Sequence, residues 1–308
     1  MTQIKHPAFT QAQVEQRTGL SRELLRKWEL RYNFPQPSRG ARGQRHYSGA
    51  EMQKLALISR LLPCGLRASA LVAMPLAALQ ARLDHHAVQA AQSISPHTLT
   101  QATQALLASL QPGQNLDAPR LLLQAQLDSH GLNTFVADLM PTFNAAVGQS
   151  WKAQRLSIAA EHHYTATLRA LVQRALPLPD LHPRPPKVLL TTPPGELHSL
   201  GLLALQAQLA LQGAPCINLD SQLPAPEVLH MVHEAGVGVV AISASVCMPV
   251  AQLTSYVAEL VQGLPASCAL WLGGQGCAAL PLPSAANVSL FQDTTGAVSH
   301  WLSLAQTL

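Results

Sequence analysis

From Lys187 onward, short β-branched or apolar runs alternate with helical stretches, and no other feature of the chain limits its fold so tightly. KVLLTT (187–192), PCINLD (215–220), GVVAISA (238–244), CALWLGG (268–274) and VSLFQ (288–292) read as five strands. Helices are expected near 198–211, 225–235 and 249–262, with one more closing the chain. Apolar strands that alternate with helices imply a parallel sheet covered on both faces. Ligands of such sheets bind at the carboxyl ends of the strands.

The preceding residues, from about 80 to 178, are rich in Ala, Leu and Gln and read as several helices. LPLPDLHPRPP (176–186) reads as a proline-rich linker between the two zones. At the other end the chain is basic. Residues 1–60 hold 11 of the 20 Lys and Arg but only 4 of the 16 Asp and Glu, so the rest of the chain is net acidic. A basic block confined to one end suits a polyanion-binding module joined to something near neutral. A length of 308 residues accommodates this division, since domains run to about 100–150 residues. The expected boundaries are 1–75, 80–178 and 187–308.

The five cysteines, Cys64, Cys216, Cys247, Cys268 and Cys277, are odd in number and lack CxxC spacing. They fit reduced thiols of a cytoplasmic protein better than a disulfide framework. No apolar signal segment opens the chain, and no uninterrupted apolar run approaches the about 20 residues that span a bilayer. A soluble, cytoplasmic protein without a membrane partner is expected.

In the basic zone Thr10 can cap a helix over Gln11–Arg17, Thr18-Gly19-Leu20 makes a turn, and Ser21 caps a second helix, SRELLRKWELRY. Two short helices joined by a glycine turn are a helix-turn-helix signature. Leu25 and Trp28 lie three apart and face the first helix, which leaves Arg22, Arg26 and Lys27 free to reach a duplex. Pro37 to Tyr47 carries Arg39, Arg42, Arg45 and His46 among glycines and reads as a β-hairpin wing that lays guanidinium groups on phosphates. Ser48 and Glu51 then form a capping box.

The run Leu25-Arg26-Lys27-Trp28-Glu29-Leu30-Arg31-Tyr32, followed by Pro35, Pro37, Arg39, Gly43, Arg45 and Tyr47, resembles the MerR family of winged helix-turn-helix regulators. The resemblance covers about 70 residues. It implies a dimeric or larger homo-oligomer acting on symmetric, double-stranded operator DNA. Many members continue into a long coiled coil, but no sustained heptad follows residue 75 here, so other surfaces are expected to join the copies.

Between the first expected strand and its helix stands Gly195-Glu196-Leu197-His198-Ser199-Leu200-Gly201. A histidine at that place can coordinate a metal above the sheet edge. The carboxylate two residues earlier can accept the other ring N–H and fix the tautomer. Gly201 lets a bulky group approach the helix start. The segment resembles the DxHxxG motif of cobalamin-binding domains, with Glu196 in place of the common Asp. The family's serine motif would be Ser243-Ala-Ser245, with Ser245 where Leu is usual, and its Gly-Gly would be Gly273-Gly274. The resemblance implies a multidomain chain: a winged helix-turn-helix, a middle four-helix bundle, and an α/β Rossmann-like (flavodoxin-like) cobalamin-binding domain. It makes His198 the lower axial ligand to cobalt. It adds Glu196, Ser199, Gly201, Ser243, Ser245, Gly273 and Gly274 as cofactor contacts.

Trp151 precedes Glu161-His162 by ten residues. On one unbroken helix Trp151 and His162 would stand about 16 Å apart, too far to share a small ligand. Ser157 reads instead as the cap of a new helix after a turn near Ala153–Leu156. The Trp-x9-Glu-His spacing resembles the photosensory CarH/LitR group of MerR regulators, and implies that Trp151, Glu161 and His162 enclose the adenosyl group of adenosylcobalamin. In that group a histidine often follows the Trp; here it is Lys152, which leaves open a role for His162 or His163 and the light response itself. The resemblance thus implies a repressor and not an enzyme. A light-independent sensor of a cobalamin or another tetrapyrrole is the first alternative, and a corrinoid carrier protein the second. The basic N-terminal module argues against the carrier. The pairs His85-His86 and His230/His233 are expected at the surface.

Overall fold

The structure is a computed structural model that describes residues 9–40, 43–62, 67–79, 82, 94–177, 183–281 and 287–307. The chain forms two compact units, Met1–Gln92 and Ser93–Leu308.

In the first unit β1 (Phe9–Thr10) runs into α1 (Gln11–Thr18), where Thr10 and Gln13 form a capping box. Gly19 ends α1 at φ 68°, a left-handed value that glycine adopts without steric cost. Ser21 caps α2 (Arg22–Tyr32). The wing is β2 (Ser38–Arg39) against β3 (Arg45–Tyr47), antiparallel, with β1 on the other side of β3. Two-residue strands have no legible periodicity, so β1 goes unseen in the sequence. Ser48 and Glu51 close the capping box of α3 (Gly49–Leu61), and α4 (Ala68–Ala73) follows. Val14, Leu25, Trp28, Tyr47, Leu55 and Ile58 are buried in this unit.

The second unit opens with four helices: α5 (Pro96–Ser109), α6 (Ala118–Thr134), α7 (Met140–Lys152) and α8 (Ile158–Ala175). Gly131 breaks the regular geometry of α6, and a π-helical turn over Phe135–Leu139 leads into α7. Leu106, Leu123, Phe135, Phe143, Tyr164 and Leu168 fill the space between these helices. The buried hydroxyl of Tyr164 donates to Asn144 Oδ1 at 2.7 Å, which keeps it satisfied inside an apolar layer.

Five strands follow: β4 (Val188–Thr191), β5 (Cys216–Asn218), β6 (Val239–Ser243), β7 (Ala269–Gly273) and β8 (Val288–Phe291). They form one parallel sheet in the order β5-β4-β6-β7-β8. Helices α9 (Leu200–Leu211), α10 (Ala225–Ala235), α11 (Val250–Gly263) and α12 (Thr294–Thr307) complete the fold. Successive strand residues point to opposite faces. Leu190, Val239 and Trp271 thus join Leu202 and Trp301 on one face, while Leu189, Val240 and Leu270 join Leu253 and Leu260 on the other. This is the flavodoxin-like order, and the strand sequence reverses between β4 and β6, where ligand crevices open.

Helix α9 is buried around most of its circumference. Leu202, Leu205 and Leu209 meet the sheet, whereas Leu203, Ala204 and Ala207 join the core of the four helices. A helix apolar on all sides must be covered on all sides, so the helical layer and the sheet form one unit. The expected linker is fastened at its far end: Pro186 is buried and its carbonyl accepts the indole N–H of Trp301 at 2.9 Å. Residues 178–182 lie outside the described part. Among the described residues no helix is long and apolar enough to cross a membrane.

Candidate functional site

The loop between β4 and α9 starts at the carboxyl end of β4, beside the crevice that the strand order creates. Thr192 Oγ1 donates to the Glu196 carbonyl at 2.6 Å and ties the loop into a tight curve, with Gly195 at φ 86°. Glu196 is 2% exposed. Its Oε1 accepts from the His198 backbone N–H at 2.9 Å and lies 2.6 Å from His198 Nδ1, and its Oε2 accepts from the Ser245 N–H at 2.7 Å. Burial pushes the Glu196 carboxyl up, but the hydrogen bonds from His198 and Ser245 outweigh burial and hold it below the usual carboxylate value. An ionised carboxylate only accepts, so Nδ1 carries the proton in this contact. The Nε2 of a neutral ring is then left as the free lone pair on a side chain 68% exposed. The donor set is one oriented imidazole nitrogen facing solvent at a switch point, which suits a metal that is otherwise held by its own macrocycle.

Around His198 the residues are small. Ser243 ends β6, Gly273 ends β7 in register with it, and Gly274 follows at φ 83°. A Cβ at Gly274 would lie 2.4 Å from the Ala244 carbonyl and 3.1 Å from Ser243 Oγ, so that glycine is required by the packing of the two loops. Gly201 is different. It is exposed in the first turn of α9, and a Cβ there would make ordinary contact with Ser243 Oγ at 3.7 Å. Neither packing nor backbone conformation demands a glycine, and helix propensity opposes it by about 1 kcal/mol. On the same face of β7, two residues before Gly273, the buried indole N–H of Trp271 has no acceptor.

Two expected contacts are placed differently from the simple reading. Ser199 is 2% exposed and turned inward: its hydroxyl donates to Asp220 Oδ1 at 2.5 Å and accepts from Arg169 Nη2 at 2.9 Å. Ser245 Oγ accepts from the Cys247 N–H at 3.2 Å within its own turn, so it is the backbone of Ser245 that serves Glu196.

In the helical layer α7 ends at Lys152, and Ser157 caps α8 by accepting from the Ala160 N–H. A cavity of 740 Å³ opens at this turn, lined among others by Trp151, Lys152, Arg155 and Ile158. Glu161 and His162 lie further along α8, outside its lining. Glu161 Oε2 is 2.7 Å from His162 Nδ1, and Glu161 Oε1 accepts from Thr165 Oγ1 at 2.8 Å. His163 Nε2 is 2.8 Å from the Leu116 carbonyl. The structure thus brings Trp151 and Lys152 together in the lining of one cavity and leaves Glu161 and His162 out of it.

In the first unit Arg22, Arg26 and Lys27 are exposed on α2, and Arg39 is exposed on the wing. Arg45, expected among the phosphate contacts, is paired within the unit. Its Nε lies 3.0 Å and 3.1 Å from the two Glu29 oxygens, and Nη2 lies 3.1 Å from Oε2. This half-buried pair fixes the wing to α2, because a planar guanidinium matches a carboxylate with parallel N–H bonds. His46 is half-buried on β3 beside Gly40. Arg42 lies outside the described residues, as do Cys64 and His85-His86. Sequence reasoning missed Arg169, Asp220 and Glu29. Only Asp220 had a signal, its position just beyond a strand's carboxyl end.

One unit is thus a winged helix-turn-helix, and the other a helical layer with a flavodoxin-like sheet. Residues 9–72 match the MerR HTH family regulatory protein model. It is 27% identical over 262 residues to the HTH-type transcriptional repressor CarH of Myxococcus xanthus, covering 83% of this chain and 85% of that one. It is 25% identical over 228 residues to the HTH-type transcriptional repressor CarA of the same organism, covering 73% of each. Among solved structures, the monomethylamine corrinoid protein of Methanosarcina barkeri aligns with a TM-score of 0.45 at 13% identity, over 66% of this chain and 96% of that one.

Proposed function

We propose that the chain is a cytoplasmic, cobalamin-dependent and light-responsive transcriptional repressor. One observation carries the reading: a solvent-facing imidazole, oriented by a buried carboxylate, stands at the switch point of a flavodoxin-like sheet beside an unforced glycine. His198 would hold the cobalt through its Nε2. Glu196 would fix its tautomer, and Gly201, Ser243, Gly273 and Gly274 would leave room for the nucleotide tail. Trp151, Glu161 and His162 would cover the upper face. In this reading residues 1–75 grip the operator, 80–178 form the cap and 187–308 hold the cofactor. The MerR head and the two repressor relatives support the regulatory side of it.

Bound adenosylcobalamin supplies a cobalt–carbon bond that visible light can cleave. The chain's part is to bind one form better than the other, because a ligand shifts an equilibrium only by its differential affinity. A cofactor held by His198 on the sheet side and by Trp151 on the helical side would bridge the cap and the Rossmann-like part and create a surface for oligomer formation. Linked heads then hold an operator through effective concentration.

The test is the visible spectrum of the chain mixed with adenosylcobalamin in darkness and again after green light, alongside size-exclusion chromatography. A bound spectrum and an oligomer that both change on illumination support the reading. Lys152 in the cavity favours a second one, a light-independent cobalamin sensor, which a bound spectrum without any light-driven change in size would select. No binding of any corrinoid defeats both.

Gly201 separates cofactor space from folding. Gly201→Ala is expected to raise apoprotein stability by about 0.5–1 kcal/mol, since alanine is the better helix former. Gly201→Leu is expected to weaken corrinoid binding, with the apoprotein still folded. Urea denaturation and corrinoid titration check the two halves.

A further inference from the structure

The loop that follows β5 contains two non-glycine residues in the left-handed region, Asp220 at φ 59° and Gln222 at φ 66°. Such residues persist where their surroundings over-determine them, and they cluster at functional sites. Both of them hold the His198 loop. Gln222 Oε1 accepts from the Gly195 N–H at 3.3 Å, and its own N–H donates to Thr192 Oγ1 at 3.0 Å. Asp220 Oδ1 accepts from Ser199 Oγ at 2.5 Å. The segment that carries the histidine is therefore grasped at its start by one strained residue and at its end by the other.

The end clamp reaches further. Arg169, on α8 in the helical layer, donates from Nη1 to Asp220 Oδ1 and from Nη2 to Ser199 Oγ, each at 2.9 Å. Ser199 stands at the N-cap of α9, yet its side chain makes no capping bond. Serine at that position ordinarily accepts from the first-turn N–H groups. Here the hydroxyl serves the clamp instead, directly after His198 in the chain. The Asp220 carboxyl, raised by burial but lowered more by Ser199 and Arg169, is held below its ordinary value, which keeps it an acceptor.

We propose that Arg169 and Asp220 are positioning residues for His198, which clamp Ser199 so that the seat of α8 against α9 and the loop after β5 sets the direction of the imidazole. The proposal rests on the reading of His198 as a cobalt ligand. Glu196 fixes the ring about its own bonds, and the clamp fixes the backbone from which the ring projects. A shift of α8 against α9 would release Arg169 from Ser199 and loosen His198 at the same time.

The test uses the full chain with aquacobalamin as probe and compares wild type with Arg169→Ala, Asp220→Asn and Arg169→Lys. Outer-shell partners of metal-ligating histidines change affinity by about 10–100-fold. Arg169→Ala and Asp220→Asn are expected to weaken binding at least about tenfold, the lower end of that range, and to shift the visible bands toward those of free aquacobalamin. Arg169→Lys, which keeps the cation but loses the fork, is expected to bind with intermediate affinity and bands. It also decides the matter if the alanine variant does not fold. Wild-type affinity and bands in folded variants overturn the proposal while leaving the cofactor reading intact. A wild-type chain without a histidine-ligated spectrum overturns the cofactor reading, and this proposal with it.

Discussion

Replacing His198 by alanine is expected to lower affinity for aquacobalamin by at least about a hundredfold, beyond the 10–100-fold typical of outer-shell changes around metal-bound histidines. The histidine spectral signature should disappear as well. The expectation follows from the donor set: His198 is the imidazole that the fold orients at this crevice, through the 2.6 Å contact from Nδ1 to Glu196. The apoprotein should fold much as before, because the ring is 68% exposed and its removal leaves no cavity. Glu196→Gln is the informative companion. The amide oxygen can still accept from His198, but the amide nitrogen would then face the Ser245 N–H, donor against donor. Its effect should therefore combine a weaker ligand with a less stable loop. Titration followed by visible absorption, with thermal melting of the apoprotein beside it, separates the two. Unchanged affinity and spectrum in His198→Ala would remove the cobalt assignment.

Neutralising Arg22, Arg26, Lys27 and Arg39 to glutamine is expected to reduce duplex affinity by orders of magnitude at moderate salt and to flatten its salt dependence. Each group that neutralises a phosphate contributes about 0.9 to the slope of log affinity against log salt. All four are exposed, and they lie on the helix and the wing that a winged helix-turn-helix presents to DNA. Arg45 belongs to a different experiment. It is already paired with Glu29, so Arg45→Gln leaves a half-buried carboxylate without its partner and acts by loosening the wing. Fluorescence anisotropy over a salt series, on a duplex selected by the full chain from a random pool, measures the slope. A slope unchanged in the fourfold variant would show that this face does not meet the phosphates.

Local chemistry was legible in advance. Thr10, Ser21, Ser48 and Ser157 each cap the helix they announce, because a cap depends on residues two or three positions away. The five apolar runs became five parallel strands in one sheet for a similar reason: a strand covered on both faces must be apolar throughout. The order of those strands could be argued only as a class. Their reversal between β4 and β6 is what puts the loop carrying His198 beside the loop carrying Ser245.

The sequence by itself determined the five strands of the parallel sheet, the basic face of α2, the winged helix-turn-helix and the histidine loop between the first strand of the sheet and its helix. Each is written in residues close together along the chain. Tertiary structure alone decided which groups are free and which are engaged. Arg45 meets Glu29 across 16 residues, Glu196 meets the Ser245 N–H across 49, and Arg169 reaches Ser199 across 30 and Asp220 across 51. Spacing in a sequence carries no record of such partners. A hydrogen bond depends on distances of about 3 Å and on donor direction, and only packing between distant segments sets these.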